Sequence, residues 1–228
     1  MFRNLLSGSM DFAEVVVYIL STLAVVFLTL PIHEWAHAFT AVKLGDDTPR
    51  WQGRLSINPF AHIDWIGAAL IVLFGFGWAK PVQIDARNFK KPKRDMAITA
   101  LAGPLANILM ALILMIILNA MTLLLVMTDN SIIVYIFSFL YYIVQINIGL
   151  AVFNLIPIPP LDGSRLLSAL LPDRYYYKLM RYEKYIFWVL IVMLYLGVLN
   201  APLDFLTTYL YRGISFLARL PFELLRII

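Results

Sequence analysis

Residues His33-Glu34-Trp35-Ala36-His37 carry two imidazoles and a carboxylate within little more than one helical turn. In a helix, His33 and His37 lie nearly on one face and can present two ring nitrogens to a single Zn²⁺. Glu34 can then reach the adjoining water as a general base. The preceding run, Val15 to Ile32, has no charged side chain. Ionisable groups at membrane depth need a metal, a partner or a water-filled cavity. The plain alternative is a pair of histidines capping or snorkelling at a helix end.

Two histidines do not complete a catalytic zinc site, which takes three protein ligands and keeps one position open. The chain has no cysteine and only three histidines, so the third ligand is His, Asp or Glu. Asp162 is one candidate, directly after a proline-broken helix. His62 and Asp64, in Asn58-Pro59-Phe60-Ala61-His62-Ile63-Asp64, are the others. Each also has a structural use, Asp162 as N-cap of a helix Ser164 to Leu171, and His62 and Asp64 in a polar turn at headgroup level. All three fall toward the same side of the membrane as His33 and His37, so topology leaves the choice open.

The elements that must hold these groups are membrane helices. Of 228 residues, 61% are hydrophobic and 14% charged, and the mean hydropathy is +0.81. Several uncharged runs reach spanning length, so the composition implies an all-α polytopic membrane protein. The net charge of +4 is concentrated in a few loops, which points to membrane orientation and away from nucleic acid. Met1 to Met10 has no signal-peptide character, so the first helix is expected to stay in the mature protein.

Helix 1 is expected from about Asp11 to Leu44, stopped by Gly45. Over Arg54 to Asn58 polar and apolar residues alternate, which predicts a small β element. Trp65 to Ala79 is apolar but short for a span and broken by Gly67, Gly75 and Gly77; the reading is a candidate re-entrant segment, with a true span as the alternative. The basic loop 80–95 reads as cytoplasmic. Met96 to Thr128 and Asn130 to Leu161 form a hairpin with an uncharged-to-acidic tip at Asp129. The second helix of that hairpin ends near Leu155, because Pro157, Pro159 and Pro160 cannot continue it. Asp162 to Lys184 is again basic and inside, and Tyr185 to Leu203 is a further span. The tail from Asp204 carries Arg212, Arg219 and Arg226 at seven-residue spacing, favouring an amphipathic surface helix over a short last span. The expectation is one membrane-embedded domain over 1–228, with a core at 11–171 and a C-terminal span and tail at 185–228.

His33-Glu34-x-x-His37, followed by Asn154-x-x-Pro157-x-x-x-Leu161-Asp162-Gly163, resembles the site-2 proteases, zinc metalloproteases that cut within or beside the membrane. Both halves stand in the right order with a transmembrane hairpin between them, and the likeness covers Val15 to Leu171. Asn58-Pro59-x-x-His62-Ile63-Asp64 and Gly103-Pro104-x-x-Asn107 resemble further marks of the compact bacterial and archaeal members. Trp65 departs from the proline often found there, and there is no room for PDZ or CBS modules. The resemblance implies one Zn²⁺ per chain held by His33, His37 and Asp162, with Glu34 as catalytic base. It also implies that Asn154 binds substrate backbone or helps stabilise the oxyanion. The competing use of Asn154 is helix-to-helix hydrogen bonding, as for Asn147 seven residues earlier. Gly103, Pro104 and Asn107 read mainly as close packing and local opening near the helix start, with a substrate contact as a further use; His62 and Asp64 as groups orienting a ligand or lining the substrate path.

The implied partners are the lipid bilayer and a single-pass or pre-cleaved membrane protein as substrate, with no nucleic acid and no obligate soluble partner. The implied location is a prokaryotic plasma membrane, with the site toward the cytoplasm. Residues 53–58, as a strand edge, would pair with the unwound substrate. Competing classes are a catalytically silent scaffold, a transporter, and a phosphate- or lipid-processing metalloenzyme. Against the first stands the full set of His33, Glu34, His37 and Asp162. Against the second stands the lack of inverted repeats.

Overall fold

The computed structural model describes residues 11–74, 77–127 and 130–224. The expectations placed on Asp129, Gly75, Arg226 and the first ten residues lie outside that range.

Helix α1 runs Phe12–Leu44. Asp11 caps it, its carboxylate accepting from the Phe12 N–H at 2.7 Å, and Gly45 ends it at φ 113°, a left-handed conformation suited to glycine. Val25–Thr29 within it is one π turn. Pro31, one residue beyond Leu30 at its end, has no N–H to donate to the carbonyl four residues back, so a local widening there is the expected response. Two short helices, α2 (Thr48–Trp51) and α3 (Pro59–His62), lead to α4 (Trp65–Phe74). Then come the long hairpin helices α5 (Pro92–Met127) and α6 (Ser131–Leu155), followed by α7 (Asp162–Leu170), α8 (Asp173–Arg181), α9 (Glu183–Tyr195) and α10 (Asn200–Leu224).

α1, α5 and α6 are long and apolar enough to cross a membrane, each exceeding the roughly 20 residues a hydrocarbon core requires. On α5, Leu105, Leu109, Ile113 and Ile117 are exposed at four-residue spacing. Ala111, Met115 and Leu118 are buried with Val144 and Ile148 of α6 and Ile214 and Ala218 of α10. An apolar outer stripe over an apolar interior is what lipid as solvent requires. A second core joins Val25, Val26 and Leu30 of α1 to Ile63, Ile71 and Ile143. The chain is thus a multi-pass, all-α helical bundle.

Two expectations are corrected. Among the described residues there is no β-strand. Residues 53–58 form turns because their polar groups bond locally. The Arg54 guanidinium donates to the carbonyls of Ala61 and Lys80, the Ser56 carbonyl accepts from His62 Nε2 at 2.6 Å, and Asn58 caps α3 through the Phe60 N–H. The alternation of polar and apolar residues thus reflects a buried arginine, 7% exposed, and not a pleat. Tyr185 to Leu203 is not one helix: Gly197 at φ 72° breaks it, and α9 meets α10 at 84°, so the pair counts as at most one bent span. The tail helix α10 buries Ile214, Ala218 and Phe222; its apolar face docks on the hairpin.

α4 has ten residues, about 15 Å of helix. The chain then comes back to where it left: the Lys80 N–H donates to the His62 carbonyl at 2.8 Å. A Cβ on Gly67 would lie 2.0 Å from the Trp78 carbonyl oxygen, so the returning strap packs backbone to backbone against the helix. The strap is then tethered to the end of α1. Asp46, fully buried, accepts from the Asp85 N–H at 2.8 Å and from Asn88 Nδ2 at 2.8 Å. Burial raises the Asp46 carboxyl, but the donors Thr48, Asn88 and Asp85 outweigh it and hold the group below the usual carboxylate range. Beside it, hydrogen bonds from Arg87 bring Asp85 down to about 2.

Candidate metal centre

The sequence places His33 and His37 one turn apart on the inner face of α1, and both are buried. The break in helix after α6 brings the third group to them. Ile156 to Leu161 is non-helical, closed by short turns such as Leu161 N–H to Ile158 carbonyl at 2.9 Å. A Cβ on Gly163 would stand 2.3 Å from the Leu155 carbonyl oxygen, so only glycine lets α7 start this close to the end of α6. Asp162 opens α7 with Leu161 at the cap position; its carboxylate therefore does not act as the helix cap. Its Oδ2 lies 3.2 Å from His33 Nε2 and 3.2 Å from His37 Nε2, and the two Nε2 atoms are 3.1 Å apart.

These three atoms form a nearly equilateral triangle. Ligand atoms about 2.0–2.1 Å from a tetrahedral ion stand about 3.3 Å from one another, so the spacing fits a small divalent ion such as zinc, with a fourth position open. The tautomers agree. The Thr99 carbonyl can only accept, and it lies 2.7 Å from His37 Nδ1. That nitrogen therefore carries the proton, and the Nε2 lone pair is left for an ion. His33 Nδ1 is buried without a partner among the described residues.

The cluster opens on a cavity of about 420 Å³ whose lining includes Glu34, Val82, Asn154, Asp162, Arg165 and Phe187. Glu34 Oε2 accepts from the Val82 N–H at 3.0 Å, which fixes one carboxylate oxygen. Asn154 lines the same cavity from the last turn of α6. Asn147, by contrast, donates from Nδ2 to the Ile143 carbonyl at 2.8 Å and to Thr29 Oγ1 at 3.3 Å, a helix-to-helix contact as its position suggested.

His62 and Asp64 are not part of the cluster. His62 bonds Ser56, and Asp64 caps α4 by accepting from the Ile66 and Gly67 N–H groups at 3.1 and 2.9 Å. Three participants were missed in the sequence. The Thr99 carbonyl and the Val82 N–H are backbone groups with no residue-type signature. Arg165, one turn beyond Asp162, was readable by helical spacing. Gly103 was read mainly for packing and local opening, yet a Cβ there would lie 2.3 Å from His37 Nε2 and 2.6 Å from His33 Nε2. It forms the back wall of the site.

Comparison with known proteins agrees with this geometry. The family model described as Peptidase family M50 matches residues 119–199. The chain is 38% identical over 179 residues to "Putative zinc metalloprotease YwhC" of Bacillus subtilis, covering 77% of this chain and 79% of that one. It is 28% identical to "Putative zinc metalloprotease Rip2" of Mycolicibacterium smegmatis, over 76% of this chain and 66% of the relative. To "Putative zinc metalloprotease MJ0611" of Methanocaldococcus jannaschii it is 30% identical, over 68% and 72%. No solved structure matches. The chain belongs to peptidase family M50, the zinc metalloproteases of site-2-protease type.

Proposed function

We propose that this protein is a zinc-dependent intramembrane endopeptidase that hydrolyses peptide bonds in or near transmembrane segments of other membrane proteins. The observation that carries this is the triangle of His33, His37 and Asp162 donor atoms, 3.1–3.2 Å on each side, opening with Glu34 on one cavity. His33, His37 and Asp162 would hold one Zn²⁺ there, and the ion would supply Lewis acidity toward a water and a carbonyl.

The protein's own groups do the rest. Glu34 takes a proton from the attacking water and later delivers it to the leaving amine nitrogen, as the carbonyl C–O bond forms and the C–N bond breaks. The Val82 N–H bond keeps one oxygen of that carboxylate in place and leaves the other for the proton. Asn154 donates from its amide to the oxyanion or the substrate backbone without adding a buried charge. The non-helical backbone at 156–161 gives water and an unwound substrate segment a polar way in.

The chain acts as one membrane-embedded unit over 1–228 in a prokaryotic plasma membrane. Its substrate is a single-pass or already trimmed membrane protein. The basic segment Lys90 to Arg94 stands at the α5 end that carries Thr99 and Gly103. Because positive charge tends to stay inside, this supports a site facing the cytoplasm.

The test is cleavage of a transmembrane reporter by detergent-purified protein. Glu34→Gln should lower the rate about 10²–10⁴-fold with zinc content unchanged. Cleavage by Glu34→Gln at the wild-type rate would overturn the proposal.

A further inference from the structure

His37 has its outer ring nitrogen held by the Thr99 carbonyl, whereas among the described residues His33 has no such partner. Metal-binding histidines almost always donate that second N–H to a fixed acceptor. Among the described residues six buried side-chain atoms lack a hydrogen-bond partner, and four of them are His33 Nδ1, both amide atoms of Asn107, and Asn147 Oδ1. Asn107 is 1% exposed and Asn147 fully buried, so bulk water does not serve them.

Helix register brings these four atoms to one level. α1 and α6 run side by side in the same direction. Ser21 Oγ donates to the Phe139 carbonyl at 3.1 Å, and eight residues on in both helices Asn147 Nδ2 donates to Thr29 Oγ1 at 3.3 Å. α5 runs the other way, with Thr99 against His37 and Gly103 against both histidines. One turn further, about 6 Å, Asn107 falls level with the span from Thr29 to His33 on α1. The same level on α6 lies between Asn147 and Ala151. The His33 ring turns the right edge toward α5: Cε1, the atom joining Nε2 to Nδ1, would be 2.6 Å from a Cβ on Gly103.

Donors and acceptors alternate along this layer. With Nε2 reserved for an ion, His33 Nδ1 carries a proton and needs an acceptor. Asn107 offers Oδ1 to accept and Nδ2 to donate. Asn147 has a free Oδ1, because its Nδ2 already faces the Ile143 carbonyl.

We propose that Asn107 is the positioning residue for His33, joined to it across a buried water. The chain of bonds runs from His33 Nδ1–H through that water to Asn107 Oδ1, and from Asn107 Nδ2–H, again through water, to Asn147 Oδ1, whose own Nδ2 is held by Thr29 and Ile143. A buried site lined by several polar atoms is where an internal water is held. Asn107 thereby fixes the tautomer and ring angle of His33, as Thr99 does for His37. The inference rests on the metal reading of the cluster.

The test is Co²⁺ titration of the detergent-purified full chain, following the visible absorption of the bound ion, with zinc competition for affinity. Asn107→Leu fills the space without an acceptor and should weaken binding about 10–100-fold and shift the cobalt bands. Asn107→Asp retains the acceptor and should restore both. Asn107→Ser and Asn107→Ala form a second acceptor and non-acceptor pair if the leucine variant does not fold. A purely structural role would lower thermal stability while leaving the cobalt spectrum unmoved. Wild-type affinity and spectrum in Asn107→Leu and Asn107→Ala would overturn the assignment of Asn107 and leave the protease reading standing. A wild-type chain that binds no cobalt or zinc would overturn both.

Discussion

Gly103→Ala adds one methyl group to α5 and should abolish zinc binding without unfolding the bundle. The new carbon would stand 2.3 Å from His37 Nε2, and 2.6 Å from both Nε2 and Cε1 of His33. Heavy atoms of this kind rest about 3.5–4.0 Å apart, so the rings must retreat by about 1 Å. Metal sites tolerate about ±0.2 Å in ligand position, and His37 cannot yield freely because Thr99 holds its other edge at 2.7 Å. Helix propensity alone would favour alanine over glycine by up to about 1 kcal/mol, and overpacking a dense interior costs about 1–3 kcal/mol; folding should therefore survive. Gly149→Ala in α6 is the control, because a Cβ there meets nothing within 4 Å. Zinc per chain, reporter cleavage and the thermal midpoint should be measured on both variants. Gly103→Ala should lose zinc and cleavage, and Gly149→Ala should lose neither. Full zinc occupancy and wild-type cleavage in Gly103→Ala would refute the placement of α5 against the histidines.

Further predictions follow from the strap and its anchor. Gly67→Ala forces a methyl to within 2.0 Å of the Trp78 carbonyl and should separate α4 from the returning strap. The readout is faster proteolysis between residues 77 and 88, and an unchanged pattern would count against the close return. Asp46→Asn removes a charge from a carboxylate with several donors and should cost about 1–3 kcal/mol at neutral pH, measured by thermal or denaturant unfolding. The Asp46 carboxyl is held below its ordinary value in the folded chain. Its contribution is thus full above the unfolded carboxylate pKa, about 4, and is lost as pH falls through the folded value. The stability difference between wild type and Asp46→Asn should therefore shrink in acid; a gap independent of pH would contradict the linkage.

The chemistry was more legible in the sequence than the architecture around it. His33, Glu34 and His37 stand within five residues on one helix, so spacing alone brought them together. The ends of α1 were equally local, set by Asp11 and Gly45. Asp162 lies 125 residues from His37 and was one of three candidates until the motif resemblance selected it. Arg54 to Asn58 misled because alternation normally marks a strand, whereas here it records an arginine folded back onto the carbonyls of Ala61 and Lys80. The Tyr185 to Leu203 run hid its break because one glycine, Gly197, in an apolar stretch is a weak signal. The Val82 and Thr99 contacts come from the main chain and leave no trace in residue type. The docking of α10 was obscured for another reason, since an amphipathic face suits a protein groove as well as a lipid surface.

Metal content of the detergent-purified chain, by elemental analysis, tests the central claim most directly, compared across wild type, Asp162→Ala and His62→Ala. The account predicts one zinc per chain in wild type, its loss in Asp162→Ala, and its retention in His62→Ala, whose ring is bonded to Ser56 away from the cluster. Stoichiometric zinc surviving the loss of Asp162, or none in a well-folded wild-type chain, would contradict it.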